Sequence, residues 1–243
     1  EKLFKEHPPP EDCPICFLPL PFVGSQKVFR PCCGKYVCLG CTHGMIRDAV
    51  KRGKKREEAG ICAFCRAPHA NSDEEYAKRI EKLTNNDDAV YTLGRLYAYG
   101  EMGMPQNWVK ANELYLKAGE LGCAGAYYNL GQSYNEGMVV TIDKKKAKHF
   151  YELAAMNGHI KARHNLGCLE GQAGNNQRAF KHFIIAARAG NKLSLDRVKK
   201  GYMRGFVAKD EYEQTLRIYQ KRVDAVTSDT RSEVLLAMQG ETL

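Results

Sequence analysis

No apolar run approaches the ~20 residues of a membrane-spanning helix, so the chain is expected to be soluble, with no membrane partner. It has no Walker loop, no G-x-S-x-G elbow and no dinucleotide fingerprint, and no self-contained catalytic centre is expected. His149, His159, His164 and His182 lack the i, i+4 companion that would make a metal face on a helix, and are read as surface residues. Cysteine is scarce over most of the length: of ten, only Cys123 and Cys168 follow residue 65, and both read as small core residues. A disulfide scaffold would spread its cysteines differently, which points to a reducing compartment, cytoplasmic or nuclear.

The other eight cysteines form four pairs: Cys13-Pro-Ile-Cys16, Cys32-Cys33, Cys38-Leu-Gly-Cys41 and Cys62-Ala-Phe-Cys65. Two intervening residues let both thiolates of a pair face one metal. Zinc suits an all-thiolate tetrahedral site, and eight thiolates imply two Zn²⁺ ions. The pairs can share ions by alternation, first with third and second with fourth, or in sequence as in two zinc ribbons.

The order of the pairs resembles a RING-type zinc finger of all-cysteine form. That resemblance implies the crossed arrangement, with Cys13, Cys16, Cys38 and Cys41 on one zinc and Cys32, Cys33, Cys62 and Cys65 on the other. In the run Cys33-Gly-Lys35-Tyr-Val-Cys38-Leu-Gly-Cys41, Lys35 stands where the family commonly has His, and a protonated Lys cannot ligate. Cys32 can supply the fourth ligand; His43 and His69 are alternatives.

Along the chain, residues 1–11, with Pro8-Pro9-Pro10, read as an extended, flexible tail and 12–70 as the zinc module. Helix-forming composition from His43 to about Glu58 places Met45, Ile46, Ala49 and Val50 on one face. Its outer end, Lys51-Arg52-Gly-Lys54-Lys55-Arg56, is read as a solvated face rather than a nucleic-acid patch, since Glu57-Glu58 follows. The formal charge of +9 falls to about +5 once eight thiolates and two divalent ions are counted, which weakens a nucleic-acid partner further. Ser72-Asp-Glu-Glu75 predicts a capping box that opens a linker helix through Leu83, within residues 71–85.

A repeat then fills 86–226. Leu93-Gly94, Leu130-Gly131 and Leu166-Gly167 recur at steps of 37 and 36, and Ala89, Ala126 and Ala162 keep the same steps. Ala111/Tyr115/Ala118, Ala147/Tyr151/Ala154 and Ala179/Phe183/Ala186 each mark one helix face, and Gly122, Gly158 and Gly190 stand where a helix C-terminus favours a left-handed residue. Each unit is therefore a helical hairpin whose small residues permit close approach, and stacked hairpins bury a core that one could not. Aromatic residues, Trp108 included, fall on this period and are read as core. The pattern resembles Sel-1-like repeats, relatives of tetratricopeptide repeats. The third unit departs, with Glu170 in place of Tyr97 and Tyr134 and a loop four residues shorter. Ser194/Val198/Tyr202 and Tyr212/Leu216/Tyr219 suggest a degenerate terminal unit, and 227–243 a tail.

The expected architecture is mostly α: a small N-terminal RING-like two-zinc module, then an α-α superhelix. The RING resemblance implies a ubiquitin-protein ligase, or a ligase adaptor, that docks a ubiquitin-conjugating enzyme on the zinc loops and a substrate protein on the repeats. It places the enzyme contact at Ile15 and Phe64, and at Arg66 the basic residue that holds ubiquitin poised. A non-catalytic interaction scaffold with a structural zinc finger is the alternative, and nucleic-acid binding ranks last.

Overall fold

The computed structural model describes residues 2–6, 8, 11–20, 26–55, 61–139, 141–226, 232 and 234. The chain divides into two units, one built on Asn85–Val223 together with the N-terminal residues through Pro8, the other on residues 9–84 with the C-terminal residues. Arg56, the last residue of the basic run, with Glu57 and Glu58 after it, and all of the tail 227–243 except residues 232 and 234 lie outside the described residues.

The cysteine-rich unit contains a short hairpin, β1 (Lys27–Arg30) and β2 (Lys35–Cys38), with Val28 opposite Val37 and Arg30 opposite Lys35. Its turn is Pro31-Cys32-Cys33-Gly34, in which Gly34 adopts the left-handed φ of 70° that closes so tight a connection. Helix α1 (Leu39–Lys51) follows at once. It begins earlier than the composition from His43 predicts, because the Cys38 sulfur accepts the Cys41 N–H at 3.4 Å and so caps the helix from inside the third cysteine pair. It also ends earlier, at Lys51. The face predicted at Met45, Ile46 and Ala49 is only half-buried and Val50 is exposed; Gly40 and Thr42 are the buried positions. Helix α2 (Asp73–Glu81) opens on Ser72, whose hydroxyl accepts the Glu75 N–H at 3.2 Å. The Glu75 carboxylate reaches back to the Asn71 N–H at 2.8 Å, one residue beyond the usual partner.

The repeat unit consists of α3 (Asp87–Tyr99), α4 (Trp108–Glu120), α5 (Ala124–Glu136), α6 (Lys144–Met156), α7 (Ile160–Gln172), α8 (Asn176–Arg188), α9 (Lys192–Met203) and α10 (Lys209–Ala225). Helices pack most closely as α3 with α4, α5 with α6 and α7 with α8, and each hairpin then stacks on the next. The repeat's own spacing explains this. A Cβ on Gly94 would lie 2.8 Å from the Tyr115 ring, one on Gly131 2.5 Å from Tyr151, and one on Gly167 2.6 Å from Phe183. Each first helix thus leaves a notch at its Gly, and each second helix fills it with a ring four residues after its own small residue. Ala111, Ala147 and Ala179 are buried beside those rings, giving three successive core clusters along the stack.

Glu170 accounts for the departure of the third unit. Its carboxylate is buried and receives Lys148 of α6 at 3.0 Å, Arg178 of α8 at 3.2 Å and the Asn175 amide of the short loop at 2.8 Å. A Tyr could not satisfy three donors, whereas one carboxylate ties α6, α7 and α8 together. In α10 the inward face differs from the predicted one: Thr215 is buried and Leu216 is exposed, because the face follows Tyr212, Thr215 and Tyr219.

Candidate metal centres and the repeat surface

Two of the cysteine pairs fold as the same turn. In Cys13–Cys16 the Phe17 N–H bonds the Cys13 carbonyl at 2.8 Å and the Cys13 N–H bonds the Leu18 carbonyl at 2.8 Å. In Cys62–Cys65 the Arg66 N–H bonds the Cys62 carbonyl at 3.0 Å and the Cys62 N–H bonds the Ala67 carbonyl at 2.9 Å. Phe17 and Arg66 hold corresponding positions, both left-handed, with φ of 56° and 57°. Such a conformation costs a non-glycine residue roughly 1 kcal/mol or more, and it turns the chain back so that the carbonyl of the next residue meets the N–H of the first cysteine of each pair.

The hairpin turn carries Cys32 and Cys33, and the start of α1 carries Cys38 and Cys41. These supply the partners: the sulfurs of Cys13, Cys16, Cys38 and Cys41 lie within 4.8 Å of one another, as do those of Cys32, Cys33, Cys62 and Cys65. The geometry is the alternating one. His43 is exposed, and His69 faces Arg30, its Nε2 3.4 Å from the guanidinium; neither histidine joins a sulfur group. Burial, together with Arg30 and Arg79 nearby, holds the His69 imidazole pKa down.

The sulfurs of Cys16 and Cys38 are 3.9 Å apart and those of Cys33 and Cys62 3.7 Å apart. Sulfurs about 2.3 Å from a tetrahedral ion stand about 3.8 Å from one another, so both groups could hold a metal ion. Burial raises the Cys13 thiol pKa, but the N–H groups of Cys38, Cys16 and Ile15 outweigh it and bring it to about 7. At Cys62 burial is likewise outweighed, by the N–H groups of Cys65 and Phe64, again to about 7. Each group therefore contains one thiol readily converted to the thiolate a metal binds. Burial and neighbouring thiols push Cys32 and Cys41 the other way in the absence of an ion.

Ile15 and Phe64 are both half-buried against the small core of Cys13, Leu20, Val37 and Cys38. The Lys35 ammonium sits 4.7 Å from the centre of the Phe64 ring. Arg66 is exposed, and so is Phe17, at 76%. Phe17 was not singled out in the sequence; its equivalence to Arg66 in the two turns is the signal that could have found it.

The histidines expected at the surface separate. His149 is exposed, His159 caps α7 by accepting the Ala162 N–H at 3.2 Å, and His164 is half-buried with Nδ1 2.8 Å from the Ser194 hydroxyl. His182 is wholly buried, and burial, then the positive charge of Arg163, lowers its pKa to about 4. Cys123 is buried and Cys168 half-buried, and Trp108 packs against the first core cluster.

Part of the segment read as a flexible tail packs on the repeats. Lys2–Phe4 form a 3₁₀ turn that packs on α6 and α8. Tertiary contacts hold it, which is why composition alone suggested a tail.

Residues 87–123, 124–159 and 160–191 match the Sel1 repeat family in succession. The hairpins α3–α4, α5–α6 and α7–α8 are thus similar to Sel1 repeats, while α9 and α10 lie beyond the matched residues. A Sel1 repeat protein from Oxalobacter formigenes is 25% identical with a TM-score of 0.54, the match covering 61% of this chain and 64% of that one. A protective antigen of uropathogenic Escherichia coli with this fold, c5321, is 18% identical with a TM-score of 0.51, over 83% and 41% of the two chains, a likeness of fold alone. The ERAD-associated E3 ubiquitin-protein ligase component HRD3A of Arabidopsis thaliana is 29% identical over 108 residues. That match covers 42% of this chain but only 15% of the relative's length.

Proposed function

We propose that this protein is a RING-type ubiquitin-protein ligase or ligase adaptor, in which two structural zinc ions set up a docking platform and the Sel1 repeats bind a protein partner. The observation that carries the reading is the crossed grouping of eight cysteines through two matching turns. Cys13, Cys16, Cys38 and Cys41 would hold one zinc, and Cys32, Cys33, Cys62 and Cys65 the other; zinc would supply folding energy there and no chemistry of its own. Ile15 and Phe64, with exposed Phe17 close after Ile15 in sequence, would offer apolar contact to a ubiquitin-conjugating enzyme. Arg66, fixed by its turn, would steady the ubiquitin that enzyme carries. Rate gain would come from orientation, since no side chain of this unit need touch the reacting bond. The likeness of part of this chain to a protein named as a ubiquitin-ligase component supports a role beside ubiquitin transfer.

One observation favours a non-catalytic scaffold instead: Lys35 lies over the Phe64 ring and would have to move for that ring to be used. Reconstituted ubiquitination across a panel of conjugating enzymes separates the two. Ligase action predicts polyubiquitin chains with the wild type and at least a ~10-fold loss in both Ile15→Ala and Arg66→Ala, about 1.4 kcal/mol of lost orientation. Absence of chains with every enzyme, from zinc-loaded protein, would leave the scaffold.

A further inference from the structure

Helix α9 carries an outward face unlike the rest of the stack. At about 100° per residue, Lys192, Leu193, Lys199, Lys200, Met203 and Arg204 fall within an arc of about 140°, and all six are exposed. The opposite side is fixed by packing: Ser194, Val198 and Gly201 are buried, and a Cβ on Gly201 would run into the Phe180 ring, so the helix cannot roll to hide that arc. Asp196 is the one acid within it. Arg197 stands at its edge, towards His164 and Cys168 of α7.

Cations elsewhere in the stack are answered: Lys148 and Arg178 meet Glu170, and Arg188 meets Glu6. The side chains of Lys192, Lys199, Lys200 and Arg204 make no hydrogen bond, ion pair or ring contact with any described residue. The next acids in sequence, Asp210 and Glu211, open α10, whose N-terminus favours them. Interleaved with these cations are Met203 at 74% and Leu193 at 64%, the most exposed large apolar side chains among the described residues of the repeat unit. Phe206 follows in the turn to α10, 54% exposed and stacked on Phe180 at 5.5 Å.

We propose that this face of α9 and its turn is a peripheral docking surface for an anionic lipid bilayer, in which the four unanswered cations meet headgroup phosphates and carboxylates while Leu193, Met203 and Phe206 enter between the headgroups. A bound protein segment needs pockets for its side chains, and here the apolar groups are themselves the projections. A bilayer interface takes projections of any outline, and Lys and Arg keep their charge at headgroup level while their stems lie along the apolar layer. Each such residue adds roughly fivefold to affinity for a surface rich in anionic lipid. Nucleic acid would answer the cations but not the two aliphatic side chains, and the rings beside them, Tyr202 and Phe206, are already stacked on Tyr212 and Phe180. The sequence suggested no membrane partner because it shows no spanning segment. No helix among the described residues is long and apolar enough to cross a membrane, and a peripheral face needs none. The inference is independent of ubiquitin transfer by the cysteine-rich unit.

Co-sedimentation of the zinc-loaded full chain with lipid vesicles tests it. Phosphatidylcholine vesicles containing about 30% phosphatidylserine should bind at least ~10-fold more tightly than phosphatidylcholine alone, and the difference should shrink as salt rises from about 0.1 M to about 0.5 M. Lys199→Glu with Lys200→Glu should weaken binding at least ~10-fold, and Leu193→Gln with Met203→Gln at least ~3-fold. All four positions are exposed, so these changes leave the core in place. The Met203→Trp chain should shift its emission to the blue on the anionic vesicles, whereas Ile142→Trp, at a similarly exposed position between α5 and α6, should not. Binding that is absent, unchanged by the α9 substitutions, or matched in strength by duplex DNA or by polyglutamate would overturn the lipid face.

Discussion

In the cysteine-rich unit the buried core is Cys13, Leu20, Val37 and Cys38, half of it thiol, whereas each hairpin of the repeat unit contributes an aromatic ring, a Leu or Ile and several alanines to a continuous stack. Four small side chains bury far too little apolar surface to hold some sixty residues together. On the proposed reading, metal held by the converged sulfurs would replace that missing core, while in the repeats each unit covers the open face of its neighbour. Stability in one region would then be chemical and local, and in the other a sum over interfaces.

Metal removal should break the comparison most sharply. A strong chelator, or Cys38→Ser, should unfold the cysteine-rich unit, with an effect on the order of 10 kcal/mol per ion, and leave the helices of the repeats intact. Amide dispersion by NMR would show resonances of Cys13–His69 collapsing while those of α3–α9 hold their positions.

Within the repeats, Gly131→Ala should destabilise by about 2 kcal/mol, although Ala ordinarily favours a helix by up to ~1 kcal/mol, because its Cβ would meet the Tyr151 ring at 2.5 Å. Denaturant unfolding gives the sign directly. The same change at Gly44 of α1, where no atom lies within 4 Å of a new Cβ, should be neutral or stabilising.

A smaller effect is tied to pH. Burial would raise the Glu170 pKa, but hydrogen bonds from Lys148 and Asn175, then the Lys148 charge and Arg178, lower it to about 2. An unfolded Glu titrates near 4.3. The folded pKa is depressed, so this stabilisation is complete above about pH 4.3 and is lost as pH falls towards 2. Lys148 and Arg178 are each nearly half exposed, which limits the contribution to on the order of 2 kcal/mol. Glu170→Gln should flatten the acid limb of repeat unfolding in that window and leave stability at pH 7 lower by a similar amount.

What could be read in advance followed the same division. The repeats were legible because Leu-Gly and Ala-x-x-x-Tyr recur at a fixed step, and the notch at each Gly is a consequence of that step. The cysteine pairs were legible as spacing. The hairpin between them was not, since Lys27–Arg30 and Lys35–Cys38 are four residues each and show no long alternation. The early start of α1 depends on a sulfur acting as helix cap, and the placement of Leu3, Phe4 and Glu6 depends on Arg163, His182 and Arg188, some 160 to 180 residues away. Neither leaves a local trace. His182 was misplaced for the same reason: a lone His on a helix carries no sign that an aromatic residue from the far end of the chain covers it.

The pairing of cysteines across two ions is tested most directly by cadmium-substituted protein, in which cadmium–proton couplings report which cysteine side chains share each ion. The account predicts two cadmium resonances, one coupled to Cys13, Cys16, Cys38 and Cys41 and the other to Cys32, Cys33, Cys62 and Cys65. A resonance coupled to Cys38 and Cys62 together, or protein that takes up no metal, would contradict it.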